Sequence, residues 1–147
     1  MSRAFAALFV LAIVTAGLVA AEPERVVVPD LGRLPAFSHA TVSSGGLIFV
    51  SGTLGTQAGS TELVSGGAGA ETTRIIRNIE KILGQAGASL RDVAKCTVYL
   101  VDLDDFPAVN EAWMPFFGDH PPARAAVGVA DLVLGARVEI ECIATAP

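Results

Sequence analysis

The segment HPPARAAVGVADLVLGARVEIECIATAP, His120 to Pro147, decides how this chain is read. Pro121 and Pro122 fix φ and push the residue ahead of each away from helix, so any preceding helix stops there and Arg124 is entered extended. From Arg124 to Val129 the residues are small or β-branched, and Leu134, Gly135 and Ala136 read as a turn. Val138, Ile140 and Cys142 then alternate with Arg137, Glu139 and Glu141. The pattern predicts strand, turn, strand. Because side chains alternate across a strand, Glu139 and Glu141 share one face and the apolar residues take the other.

Working outward, the stretch before the double proline predicts a helix opening at Asp104 or Asp105, either of which can cap it. Phe106, Val109, Trp113 and Phe117 fall on one face and read as core, with Pro107 tolerated in the first turn and Pro115 distorting the last. A strand from Ala94 to Val101 precedes it, and Glu71 to Ala86 reads as a first helix with Ile75, Ile76, Ile79, Ile82 and Leu83 as its apolar stripe. Acidic Glu71 is expected in the first turn, favourable to the helix dipole, and Gly87 ends the helix. Gly52 to Ala70 is rich in glycine, threonine and serine and reads as a loop, with at most a short strand near Leu63 and Val64. Phe37 to Ser43 and Leu47 to Ser51 form the clearest hairpin, and Arg25 to Val28 is a further short strand. The order predicts an α+β domain with two helices packed on one face of a mixed sheet. Apolar residues on both strand alternations leave the other face to be covered, most economically by self-association.

At 147 residues, the chain holds a single domain. Residues 1–21 read as an export signal peptide: Arg3, an apolar run from Ala4 to Val19, then Ala20 and Ala21 before Glu22. The folded domain is then 22–147, exported to the periplasm or secreted, with no stable membrane insertion after cleavage. Without Arg3, nine basic residues face fifteen acidic ones, a net of −6 against −5 for the whole chain. That charge, with no basic run, argues against nucleic acid as a partner. Cys96 and Cys142 both fall in strand-like runs. Export would permit a disulfide, but the expectation is two separate buried thiols. No cysteine or histidine pairing has metal-ligand spacing, so no metal is expected.

These parts together resemble the RidA (YjgF) family of small enamine and imine deaminases. The resemblance rests on Phe37-Ser38-His39-Ala40, Leu47 to Gly52, Asp102 to Phe106 with Val109-Asn110, Pro122-Ala123-Arg124, and Val138 to Glu141 with Ile143-Ala144. It implies a chorismate-mutase-like α+β fold assembled as a homotrimer, with ligand clefts between subunits. It also implies hydrolysis of 2-imino acids to 2-oxo acids and ammonia without a cofactor. Phe37 stands where active members usually carry tyrosine, and Ala126 where cysteine is common.

The residue chemistry agrees with that resemblance. A 2-imino acid carries a carboxylate, which the planar fork of Arg124 can hold in two parallel hydrogen bonds. Glu139 matches the family's site glutamate and can position water or shuttle a proton. Gly52 allows close approach of a ligand to the backbone, with Phe37 and Ser51 beside it in the cleft. Each has a plainer alternative: Arg124 as a structural arginine paired with Asp131 or with a glutamate across a subunit boundary, Glu139 and Glu141 as a solvated edge, His39 and Ser51 as strand hydrogen bonders, Asn110 as a tie to a neighbouring loop. The competing functional reading is a non-catalytic binding module that takes a small carboxylate metabolite in the same cleft.

Overall fold

The computed structural model describes residues 22–32 and 35–147. The expected signal peptide, residues 1–21, lies outside the described residues. Six strands and two long helices follow in order: β1 (Glu24–Val26), β2 (Ala40–Val42), β3 (Leu47–Leu54), α1 (Gly67–Gln85), β4 (Val93–Leu100), α2 (Phe106–Phe117), β5 (Ala123–Gly128) and β6 (Val138–Thr145). They form a single sheet in the order β1-β2-β3-β6-β4-β5. All pairings are antiparallel except β4 with β5, which α2 connects as a parallel crossover. The expected strand-turn-strand is present at the C-terminus, but its strands are not neighbours: β6 inserts between β3 and β4, leaving β5 on the edge. Consecutive strands need not pair, and the sequence pattern carries no information on which edge receives them.

The core lies between the sheet and the helices. Ile75, Ile76, Ile79, Ile82 and Leu83 of α1 are all at most 1% exposed, and Ile48, Val98, Leu100, Val138 and Ile140 meet them from the strands. Each such side chain contributes about 1.5–3 kcal/mol by leaving water. Gly87, at φ +77°, ends the helix as expected.

Helix α1 starts earlier than the apolar stripe predicts, at Gly67 rather than Glu71. Gly66 and Gly67 have φ of +116° and +77°, a left-handed entry that side chains other than glycine resist. Glu71 therefore does not sit in the first turn as a partner of the dipole. It is buried, and its Oε2 accepts from the backbone N–H groups of Arg137 at 2.9 Å and Val138 at 3.2 Å, tying α1 to the start of β6. Pro115 is accommodated inside α2, which runs on to Phe117. Strand β2 is shorter than the expected Phe37 to Ser43, and strand β3 extends to Leu54 into the stretch expected to be loop.

Cys96 and Cys142 are not separate thiols. They face each other across β4 and β6 and form a disulfide, with both residues at most 2% exposed. The expectation failed because it weighed each cysteine as a lone small hydrophobe, whereas the insertion of β6 beside β4 makes them direct cross-strand partners. Among the described residues no helix is long and apolar enough to cross a membrane.

Candidate active site

Strand β3 carries a bulge. Val50 pairs with Cys142 and Thr53 with Ile140, so three steps along β3 answer two along β6, and the extra residue falls in Ser51-Gly52. The β2 ladder ends at Ala40 opposite Val50. Beyond that point the segment through Phe37 and His39 borders the strand, and Ser51 is fixed there by its N–H to the His39 carbonyl (3.0 Å) and its Oγ to the Ser38 carbonyl (2.8 Å). His39 is buried, its Nδ1 accepts from the Val28 N–H at 3.0 Å, and its ring meets that of Phe37 edge-on at 6.3 Å. Both His39 and Ser51 thus act as hydrogen bonders in the frame of the cleft.

A cavity of about 620 Å³ opens at this bulge. Phe37, Ser51, Gly52 and Glu139 all line it, so four of the five expected site residues come together. Glu139 leans over Gly52 closely enough that a Cβ at position 52 would stand 1.9 Å from its Oε1. Its carboxyl is half-buried rather than part of a solvated edge, and burial, followed by the nearby charge of Glu141, raises its pKa above the ordinary glutamate value. Glu141 accepts from the Tyr99 hydroxyl at 3.0 Å on the same sheet face.

The fifth residue lies elsewhere in the chain. Arg124 is in register with Cys96, whose side chain faces the core, so the guanidinium packs against α2. There it lies 4.8 Å from the Trp113 ring centre and 5.6 Å from that of Phe106, and its Nη2 donates to Asn110 Oδ1. Its Nη1 is buried without a hydrogen-bond partner among the described residues, and burial lowers its pKa from the usual arginine value. No ion pair with Asp131 forms. Glu139, alternating with core-facing Val138 and Ile140, belongs to the opposite sheet face, with β4 standing between the two strands. Within one chain, then, Arg124 and Glu139 do not share a cleft.

Sequence reasoning assigned Trp113 to the core and Asn110 to a loop tie, and missed that both hold Arg124. A signal was present: Phe106, Asn110 and Trp113 are spaced i, i+4, i+7 on one helix face. Asn78, Leu31 and Leu134 of the cavity wall were also missed, since the chain approaches the bulge there from three separate segments. No group of three His, Cys, Asp or Glu able to hold a metal occurs among the described residues.

Comparison with known proteins gives a consistent picture. Residues 31–146 match the family model described as Endoribonuclease L-PSP. The human 2-iminobutanoate/2-iminopropanoate deaminase is 43% identical over 97 residues, 66% of this chain and 71% of that protein. The crystal structure of RidA from the Antarctic bacterium Psychrobacter sp. PAMC 21119 superposes with a TM-score of 0.77 at 36% identity, covering 83% of this chain and 98% of the other. That of Escherichia coli TdcF with bound serine gives 0.75 at 28% identity over 83% and 98%.

Proposed function

The chain belongs to the endoribonuclease L-PSP family, the RidA (YjgF) family, and from that premise we propose that it is an exported deaminase of reactive 2-imino and enamine acids. The reading rests chiefly on Glu139, a carboxyl of raised pKa held over Gly52 at the mouth of a cavity. A water oxygen bonds to the imine carbon and its proton passes to the nitrogen, giving a carbinolamine. The C–N bond then breaks, the hydroxyl becomes the 2-oxo group, and its proton leaves with the nitrogen as ammonia. Glu139, protonated at higher pH than a free glutamate, positions the water and carries the proton in both steps. The human relative is named for this reaction, and TdcF, whose structure holds serine, is a fold neighbour that takes an amino acid.

Arg124 clamps the substrate carboxylate from a second copy of the chain. Its Nη1, without a partner among the described residues, its place on the edge strand β5, and its separation from Glu139 support a cleft shared between copies of the chain, which the family resemblance makes a homotrimer. Stacking between Trp113 and Phe106 fixes the plane of the fork, and Asn110 holds one arm. The signal-peptide pattern supports export to the periplasm or beyond, and the Cys96–Cys142 disulfide supports an oxidising compartment.

The test generates 2-imino acids in place with an amino-acid oxidase and follows oxo-acid release against the spontaneous rate, with Arg124→Ala alongside. Acceleration by the native protein and not by the variant is the expected result. A second reading, a binding module for a small carboxylate, is favoured by Phe37, whose ring puts no hydroxyl at the cleft rim. Ligand binding without acceleration of any imine would establish it in place of the first.

A further inference from the structure

We propose that the cavity beside Glu139 selects 2-imino acids with long or bulky apolar side chains, of the size derived from leucine or phenylalanine, over those derived from alanine or 2-aminobutyrate. The inference rests on the deaminase reading and names its substrate class. With the carboxylate held by Arg124 of a second copy and the imine carbon beside Glu139, the one remaining substituent of the substrate must occupy the cavity.

The cavity is too large for a short side chain. Its volume in the single chain, about 620 Å³, is that of roughly twenty liquid waters; it also has to take the imine group and the approach of the second copy, and a methyl or ethyl group still leaves most of it unfilled. Its deep end is apolar: Leu31 and Ile82 are 7% and 1% exposed, and Leu54 joins them. Apart from Glu139, no Asp, Glu, Lys or Arg lines it among the described residues. A charged side chain would therefore lose its water without a charged partner, whereas an apolar one gains by burial against Leu31, Leu54 and Ile82.

The wall and the rim are built to the same end. Asn78, 2% exposed, donates through Nδ2 to the carbonyls of Leu54 (3.3 Å) and Thr56 (3.2 Å), so the chain leaving β3 is held open around the chamber instead of collapsing into it. At the rim, Leu134 has φ +62°, a left-handed conformation that costs a leucine of order 1–3 kcal/mol. Leu134 and Phe37 are 58% and 41% exposed and both line the cavity, so an apolar substituent entering it can cover apolar surface on each.

The experiment compares kcat/KM for imines generated from alanine, 2-aminobutyrate, leucine and phenylalanine, using the native protein and Thr56→Phe, which narrows the chamber from a partly exposed position. The native protein is expected to favour the leucine-derived imine over the alanine-derived one by at least about tenfold. Thr56→Phe is expected to lose most of that preference. Equal rates, or a preference for the small imines, would overturn the inference and leave the deaminase reading intact. Acceleration of none of the four by protein with native circular dichroism would remove both. Should Thr56→Phe not fold, the ordering of the four native rates decides alone.

Discussion

Gly52 lies directly beneath the carboxyl of Glu139: a Cβ on residue 52 would meet Oε1 at 1.9 Å and Cδ at 2.9 Å. Both atoms belong to the free end of a flexible side chain, which can swing aside at little cost. Gly52→Ala should therefore displace Glu139 without unfolding the protein. The expected result is a melting free energy changed by less than about 1 kcal/mol, with kcat/KM down by at least about tenfold. Equal loss in stability and activity would mean that Gly52 serves the bulge rather than the carboxyl.

The raised pKa of Glu139 has two causes, burial first and the charge of Glu141 second. Replacing Glu141 by Gln removes the second cause and keeps an acceptor for the Tyr99 hydroxyl. The limb of the kcat/KM profile set by Glu139 should lie above the ordinary glutamate range and move to lower pH in Glu141→Gln. The sign for stability follows from the same shift. Folded Glu139 keeps its proton to higher pH than the unfolded chain does, so this carboxyl stabilises the fold at low pH. That contribution is lost as pH rises from the ordinary glutamate value through the elevated one. Denaturant titrations across that window, native against Glu139→Gln, should show the loss only in the native protein.

The Cys96–Cys142 bridge closes a segment with a sequence separation of 46, for which chain-entropy reasoning gives about 4 kcal/mol. It joins β4 to β6, the strand that carries Glu139, and Cys96 is the register partner of Arg124. Reduction, or replacement of both cysteines by alanine, should lower the melting temperature by about 10 °C or more. Thiol titration of the unfolded, unreduced protein should find no free thiol. Two free thiols in protein taken from an oxidising compartment would contradict the pairing.

How far the sequence carries can be judged from these same residues. Helix faces and strand alternation were legible because each depends on a local period, and Glu139 and Glu141 fall on one sheet face as that period requires. The disulfide was not, since it depends on β6 lying beside β4, a choice made by packing across the whole sheet. Glu71 misled for a similar reason. Its position near a helix start is a local cue, whereas its burial against the N–H groups of Arg137 and Val138 is a long-range contact. Of the candidate site, residue identities were readable through the family resemblance, but the separation of Arg124 from Glu139 required the strand order.

Arg124 is held by Asn110 and by two aromatic rings, so its variants should grade by what they remove. Arg124→Lys keeps the charge and loses the fork and the stacking, and is expected to lower kcat/KM by about tenfold to a hundredfold or more, mainly through KM. Asn110→Ala leaves the guanidinium in place but freer to turn, and a smaller loss, about tenfold or less, is expected. Asn110 is a positioning residue. Its loss should spare the pH limb assigned to Glu139, and a moved limb would show that Asn110 acts on the carboxyl instead.

The separation of Arg124 and Glu139 onto opposite faces of one sheet gives the shared cleft a direct test by complementation. Arg124→Ala and Glu139→Gln should each be inactive alone. If the proposed homotrimer forms, the two variants unfolded together in equal amounts and refolded should give mixed assemblies in which a cleft joins an intact Glu139 from one chain to an intact Arg124 from its neighbour. In a ring where every cleft uses one residue from each of two adjacent chains, random mixing places the intact pair together in about a quarter of the clefts. Recovery of about a quarter of native activity is therefore expected, and none if both residues of a working cleft come from the same chain. The outcome does not depend on the substrate side chain, so it separates the assembly from the specificity of the cavity. A monomer in solution that still accelerates imine hydrolysis would require Arg124 to act within its own chain, against the strand order that places β4 between it and Glu139.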